Sequence, residues 1–207
     1  MIVLAALAGY LIGSLPTAGL LGRLWGIDLR SEGSGNPGAN NALRTRGPAL
    51  ASLVLLAEVG KGFVTVILGE WVAADPGAVV AGLGAVAGNV HNIWYGFAGG
   101  KGLGISLGVL IGAWPVVVIP ILGVIALTAV ISRSSGTAAL TAVAALVVIS
   151  GVWAAGDWPT GGVEPTLQLV VLAVGLSLVL APRHWRDTPL NERWSSRRRG
   201  SGSPGRC

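Results

Sequence analysis

Long apolar runs recur along this chain of 207 residues, and they restrict its possible folds more than any other feature. Hydrophobic residues make up 52% of the sequence and charged residues only 11%. Apolar runs of about 18 or more residues are long enough to cross a bilayer as helices. A transmembrane β-barrel would show short segments of alternating hydrophobicity instead, and the sequence shows none. We therefore predict an all-α polytopic membrane protein.

The apolar runs divide into about seven predicted transmembrane helices. Residues 103–132 are too long for one span of about 20 residues, so we divide them near residues 112–115. The first run lacks a basic region before it, which favours a retained helix over a cleaved signal. We expect residues 1–186 to form one membrane domain and residues 187–207 to form a basic, disordered cytosolic tail. The predicted spans cover residues 2–22, 48–72, 78–97, 103 to about 113, about 115 to 132, 137–156 and 166–182.

The charged residues are distributed unequally between the connections. Connections on one predicted side contain Glu70, Asp75, Asp157 and Glu164 and no Lys or Arg. An excess of Lys and Arg marks cytoplasmic loops, so we predict an N-terminus outside and a C-terminus in the cytosol of a multi-pass plasma membrane protein. Basic residues at this surface would bind anionic membrane lipid, and we expect no nucleic acid partner. The connections on the other side contain Arg23, Arg30, Arg44, Arg46, Lys101, Arg133 and the seven arginines that begin with Arg183.

A polar stretch rich in glycine, residues 28–46, separates the first two spans, and we name it the first glycine loop. Glycine and proline exclude a helix interior or a strand over residues 33–41. Glycine lets backbone N–H groups converge into a nest that binds anions. Arg30, Arg44 and Arg46 flank this stretch with guanidinium groups suited to phosphate. The composition predicts either a phosphate-binding loop or an ordinary solvated loop with topogenic arginines.

A second glycine loop, residues 98–102, lies on the same predicted face. Two basic glycine-rich loops could hold two phosphates, or one phosphate and a developing oxyanion. The sequence lacks the Walker motif, the Gly-x-Ser-x-Gly elbow and the His-x-x-x-x-Asp motif of thioester-dependent acyltransferases. It also lacks a His, Glu and Asp cluster with metal-ligand spacing. Glu58 and Lys61 share a face of the second span, either as a structural ion pair or as part of a site.

Four motifs together resemble those of the acyl-phosphate:glycerol-3-phosphate acyltransferase family, also called the PlsY family. They are Gly-Ser-Leu-Pro from Gly13, Asp-Leu-Arg-Ser-Glu-Gly-Ser-Gly-Asn-Pro-Gly-Ala-Asn-Asn from Asp28, Glu-Val-Gly-Lys-Gly from Glu58, and Gly-Gly-Lys-Gly from Gly99. The resemblance extends from about Gly13 to His184 and implies seven helices with cytosolic motifs. It implies transfer of a fatty acyl group from acyl phosphate to the 1-hydroxyl of glycerol 3-phosphate in phospholipid biosynthesis. Lysophosphatidic acid and phosphate would be the products, without a metal or organic cofactor.

The same resemblance implies the site residues. In this reading Arg30, Arg44 and Lys101 hold phosphates, and His184 positions the acceptor. The implied catalytic residues are Ser34, Arg44, Lys101 and His184. The implied substrate-binding residues are Arg30, Gly33, Gly35, Asn36, Gly38, Asn41, Gly99, Gly100, Gly102 and Arg133.

Several positions depart from the family pattern, among them Asn40 and the segment after Arg133, and they leave alternatives open. Asn89 stands where the family usually has His, Ala98 replaces a Lys, and Asp187 stands where an Asn is expected. A divergent paralogue with a related, phosphate-bearing acceptor is one alternative. A membrane carrier or channel for small phosphorylated anions is the other, although its outer loops would be short and acidic.

Overall fold

The computed structural model describes residues 1–164 and 167–191, and this part of the chain is built from α-helices. Residues 187–191, which we assigned to the tail, form a hydrogen-bonded segment after the last long helix; this segment is helical over residues 189–191, and Thr188 there is buried. The rest of the predicted tail, residues 192–207, lies outside the described residues. The helices are α1 (Ile2–Ser14), α2 (Thr17–Leu24), α3 (Ala39–Arg46), α4 (Pro48–Ala73), α5 (Gly77–Val90), α6 (Leu103–Ala113), α7 (Pro115–Ser132), α8 (Ser135–Ala155) and α9 (Leu167–Trp185), with a 3₁₀ turn at Ile93–Tyr95.

Within the described ranges, five segments are long and apolar enough to cross a membrane, which supports a multi-pass membrane protein. They correspond to the first, second, fifth, sixth and seventh predicted spans. The third and fourth predicted spans coincide with α5 and α6, which have 14 and 11 residues and are shorter than a typical span. The five segments are Ile2–Leu24, Pro48–Ala73, Pro115–Ser132, Ser135–Ala155 and Leu167–Trp185.

The first predicted span is interrupted in the structure. The helix breaks at Leu15 and Pro16, between α1 and α2. Carbonyl groups released by such a break need hydrogen-bond donors, because the bilayer core offers no water. Lys61 of α4 supplies them: its Nζ donates to the carbonyl oxygens of Gly13 at 3.3 Å and Leu15 at 3.0 Å. A charged side chain within one span therefore satisfies the broken backbone of another.

The third predicted span is wrong at its C-terminal end. We expected it to reach residue 97, but α5 ends at Val90. The buried side chain of Asn92 accepts a hydrogen bond from the amide of Trp94 and donates one to the carbonyl of Ser14 at 2.7 Å. These bonds stabilise a 3₁₀ turn instead of further α-helix. The polar residues at this end of the span therefore form part of the connection.

Glycines bring several helix pairs into backbone contact. A Cβ atom added to Gly84 of α5 would lie 3.1 Å from the amide nitrogen of Tyr10 in α1. A Cβ atom at Gly62 of α4 would lie 2.8 Å from the amide nitrogen of Val109 in α6. Small residues at such crossings are the usual means by which membrane helices approach closely. The short helices α5 and α6 are thereby fixed against α1 and α4.

Two hydrophobic clusters support the helices and the first glycine loop. The larger cluster contains residues from each of the helices α4 to α9 and includes the fully buried Trp114. The smaller cluster lies beneath the first glycine loop and includes Leu29, Ala42, Leu50 and Val54, each with 0% of its surface exposed. The first glycine loop is therefore anchored by packing, which an ordinary solvated loop would lack.

We predict that alanine will be tolerated at Gly60 and not at Gly62, although both lie in α4. Nothing lies within 4 Å of a Cβ atom at Gly60, whereas at Gly62 it would meet the backbone of α6. Overpacking should cost Gly62→Ala about 1–3 kcal/mol of unfolding free energy. Gly60→Ala should be neutral or should stabilise the helix by up to about 1 kcal/mol. Thermal unfolding in detergent compares the two, and equal stability would contradict the close contact between α4 and α6.

Candidate active site

A cavity of about 500 Å³ lies between the two glycine loops, the start of α4 and the end of α9. Many of the predicted site residues line it, although they come from distant parts of the chain. Those that line it are Ser34, Asn36, Gly38, Asn41, Arg44, Gly100, Lys101, Gly102 and His184. Those that the structure does not place in its lining are Arg30, Gly33, Gly35, Gly99 and Arg133.

Asn41 holds the first glycine loop in shape. Its side chain is buried, and its Nδ2 donates to the carbonyl oxygens of Leu29 at 2.8 Å and Glu32 at 2.9 Å. Its Oδ1 accepts from the amide of Ser34 at 2.8 Å. Both amide hydrogens are thus used within the loop, so Asn41 positions the binding surface. Gly33 lies in the left-handed region at φ 62°, where a side chain would be strained and would also meet Asn41.

The predicted nest of converging glycine amides does not form at four of its expected positions. The amides of Gly35 and Gly38 donate to carbonyls within the first glycine loop, at 3.1 Å and 2.8 Å. Those of Gly99 and Gly100 donate to the carbonyls of Val90 and Asn89, at 3.1 Å and 3.0 Å. These four amides are therefore not available to a phosphate. Glycine serves here to let the backbone turn and pack closely, and the charged groups of the cavity come from side chains.

The second glycine loop is fixed by the end of α9. His184 is buried, and its Nε2 lies 3.2 Å from the carbonyl oxygen of Lys101, to which it donates when it bears the hydrogen. The neighbouring Arg183 donates to the carbonyls of Val90 at 2.8 Å and Phe97 at 3.2 Å. We did not select Arg183 from the sequence, where it was only the first of seven arginines after the last predicted span. Its position beside His184 in the last turn of a helix was the available signal.

The two cations of the cavity lie in different environments. Arg44 is exposed on α3 and faces the cavity from the first glycine loop. Lys101 faces it from the second and forms an ion pair with the carboxylate of Asp187, in the turn after α9. The family pattern has Asn at position 187, so Asp187 places a negative charge beside Lys101, a predicted phosphate ligand.

A buried polar network forms one wall of the cavity, and for its members Glu58 and Lys61 the sequence left open a structural ion pair or part of a site. Glu58 lines the cavity and forms the ion pair with Lys61 that helical spacing allowed, at 3.0 Å. Oε2 of Glu58 accepts a hydrogen bond from Nδ2 of Asn89 at 2.6 Å. Oε1 of Glu58, which also faces Lys61, accepts one from the hydroxyl of Thr17 at 2.7 Å. A buried carboxylate needs such partners. Asn89, which also lines the cavity, thus connects α5 to α4 where the family usually has His.

Three arginines of the predicted phosphate-binding surface lie away from the cavity. The guanidinium of Arg30 stacks over the ring of Tyr95 with 4.2 Å between its Cζ and the ring centroid. Burial raises the pKa of the Tyr95 hydroxyl, and the charge of Arg30 opposes that shift. Arg133 is exposed in a left-handed turn between α7 and α8. Arg46 donates to the carbonyl of Gly26 at 3.4 Å.

We predict that Asn41→Ala will loosen the first glycine loop. Each lost hydrogen bond contributes about 1 kcal/mol, and each 1.4 kcal/mol raises the open population about tenfold. Trypsin cleavage after the exposed Arg30 should therefore become about ten- to a hundredfold faster. Asn40→Ala is the matched control, since Asn40 is exposed in the same helix, and its cleavage rate should match the parent. Equal cleavage of the two variants would contradict the positioning role.

Comparison with known proteins identifies the family. The family profile described as glycerol-3-phosphate acyltransferase matches residues 3–189. A glycerol-3-phosphate acyltransferase of Synechococcus sp. (strain JA-3-3Ab) is 46% identical over 187 residues, covering 87% of this chain and 86% of that protein. One of Symbiobacterium thermophilum is 37% identical over 186 residues, covering 90% and 88%.

A solved structure shares the fold. It is PlsY, an integral membrane glycerol 3-phosphate acyltransferase, in its glycerol 3-phosphate form. The TM-score is 0.78 at 25% sequence identity, with 95% of this chain and 93% of that chain covered. The chain therefore belongs to the glycerol-3-phosphate acyltransferase family.

Proposed function

We propose that this protein transfers a fatty acyl group from acyl phosphate to the 1-hydroxyl of glycerol 3-phosphate, giving lysophosphatidic acid and phosphate. Membership of the family and the relative solved with glycerol 3-phosphate support the acceptor. One observation carries the proposal: Arg44 and Lys101, from separate loops, line the same cavity. Two cations that line one cavity suit a reaction between two phosphate-bearing substrates.

The walls of the cavity suit both ends of a fatty acyl phosphate. Leu43, Leu55 and Leu103 line it and are 49%, 41% and 38% exposed, which provides an apolar surface for an acyl chain. Arg44 and Lys101 provide charge for the phosphate. The volume of about 500 Å³ lies within the range usual for ligand sites, about 300–1,000 Å³.

The reaction requires no covalent intermediate on the protein. In our scheme the 1-hydroxyl oxygen of the acceptor attacks the acyl carbonyl carbon, and the bond from that carbon to the phosphate oxygen breaks. The departing phosphate accepts the hydroxyl proton, so charge and atoms balance. The chain then contributes position and electrostatic stabilisation: Arg44 and Lys101 hold phosphates, and Ser34 contacts a phosphate or the acyl carbonyl. His184 and Asn41 keep the two glycine loops in place.

The proposed topology has seven spans, with α5 and α6 as short ones, and a cytosolic active site in the plasma membrane. The one-sided distribution of Lys and Arg supports this orientation, and anionic lipid would contact the same surface. Both glycine loops line one cavity and so belong on one side of the membrane.

We predict that impermeant thiol reagents will label Glu32→Cys and Ala98→Cys, in a Cys207→Ser background, in inverted vesicles. Labelling in intact cells would overturn the orientation.

The comparisons do not favour a carrier or channel, because each relative named above is an acyltransferase. A different phosphate-bearing acceptor is the second reading, and the Asp187 ion pair at Lys101 is the observation behind it. Replacing glycerol 3-phosphate by other phosphorylated alcohols in one assay separates these readings. A higher kcat/KM with another acceptor would replace our assignment.

We predict that the purified protein will use acyl phosphate as its donor. Phosphate release should require both acyl phosphate and glycerol 3-phosphate, and lysophosphatidic acid should form in equal amount. Omitting the acceptor is the control for simple hydrolysis. Turnover with acyl-CoA at a comparable rate would contradict the donor assignment.

We predict that Arg44→Lys and Lys101→Ala will each lower kcat/KM about ten- to a hundredfold, which corresponds to about 1.5–3 kcal/mol for a charge-assisted hydrogen bond. Arg44→Lys keeps the charge and loses the planar fork that binds phosphate through two hydrogen bonds. Arg46→Lys is the matched control, because Arg46 is in the same helix but outside the cavity lining. If Arg44 served only to orient the protein in the membrane, Arg44→Lys would have the same kcat/KM as Arg46→Lys.

A further inference from the structure

Lys101 forms an ion pair with Asp187, and hydrogen bonds fix the backbone of both residues. The side chains of Lys101 and Asp187 are 34% and 33% exposed. The amide of Asp187 donates to the carbonyl of His184 at 3.0 Å, and its own carbonyl accepts from Ser134 Oγ at 3.4 Å. The carbonyl of Lys101 lies 3.2 Å from His184 Nε2. The two side chains can therefore separate while both backbones stay in place.

We propose that Asp187 is an intramolecular competitor for Lys101. Its carboxylate neutralises the lysine when no phosphate is bound, and the phosphate of a substrate must displace it. This inference rests on the proposed function, in which Lys101 holds a phosphate. Asp187 is then a residue that sets affinity for substrate and product without contacting the reacting atoms.

The charges and the exposure of the pair make displacement favourable. A phosphate monoester carries about −1.5 to −2 charges near pH 7 and three acceptor oxygens, whereas a carboxylate carries a single charge. The pair is one-third exposed, so solvent and salt weaken it and it holds Lys101 only modestly. A phosphate in the cavity can also meet Arg44, which lines the same space. Asp187 does not line the cavity, so it competes for Lys101 alone.

The same competition should assist product release. When inorganic phosphate leaves, the carboxylate takes its place on Lys101, so the lysine does not hold the product with its full charge. Removing the carboxylate should therefore strengthen the binding of both the substrate and the product. That joint effect differs from what a purely structural ion pair would show.

The test compares Asp187→Asn with the parent, because the amide keeps the shape and removes the charge. The substrate held by Lys101 is first identified as the one whose KM rises most in Lys101→Ala. In Asp187→Asn, the KM for that substrate and the inhibition constant of inorganic phosphate should both fall about two- to fivefold. The kcat should stay the same or fall slightly as product release slows. Asp187→Ser, which also removes the charge, should reproduce both effects if the Asn variant is poorly folded.

Two controls make the result specific. Glu32→Gln removes an equal charge from an exposed position outside the cavity lining, and it should leave both constants unchanged. In the Lys101→Ala background, Asp187→Asn should have no further effect, because the contested cation is gone. An equal decrease in that background would show a general charge effect and overturn the competition.

The outcomes separate this inference from the proposed function. If Lys101→Ala weakens phosphate binding while both Asp187 variants leave it unchanged or weaken it, the competitor role is wrong and the proposed function stands. If Lys101→Ala leaves substrate and phosphate constants unchanged, Lys101 is not a phosphate ligand, and the competitor role fails together with the proposed two-cation site. Tighter binding in Asp187→Asn that depends on Lys101 supports the inference.

Discussion

The buried ion pair between Glu58 and Lys61 joins the parts of the structure that create the cavity. Lys61 satisfies carbonyl groups at the helix break before Pro16, and Glu58 accepts hydrogen bonds from Thr17 and Asn89. Three helices and a broken backbone therefore meet at one ion pair. Breaking a buried pair by removing one partner is costly, because the other charge is left without compensation. The cavity wall is built on this network, although neither charge is a proposed phosphate ligand.

In the proposed site, some side chains hold the two glycine loops in position, and others on those loops face the cavity. Asn41 holds the first glycine loop together, and His184 connects the second to α9. Arg183 donates to the carbonyl of Phe97, directly before the second loop. Arg44 and Lys101 then approach one cavity from two loops that are distant in sequence. A reaction with a good leaving group needs position and charge more than a nucleophile on the protein. The fixed loops and the two cations supply both.

The sequence predicted the long helices well and the details of the loops less well. A long apolar run is a direct signal of a helix in lipid. Accordingly, α4 begins and ends within one residue of the predicted span, residues 48–72. The end of α5 depended on a tertiary bond from Asn92 to α1, which no local pattern reveals. The glycine amides were expected to bind anions, but four of them donate instead to carbonyls of α5 and of the first glycine loop. Likewise, motif membership could not show that Arg30 stacks on Tyr95, outside the cavity lining.

The central claim is that separate segments of the chain form one cavity that binds a phosphorylated substrate. The most direct measurement is thiol labelling of Asn40→Cys and Ser135→Cys, each in a Cys207→Ser background. Both positions are exposed and line the cavity, one on α3 and one on α8, whereas Ala98→Cys is an exposed control outside the lining. We predict that glycerol 3-phosphate slows labelling at both cavity positions, with one concentration dependence, and leaves the control unchanged. Protection of neither position, or protection of only one, would contradict a single shared site.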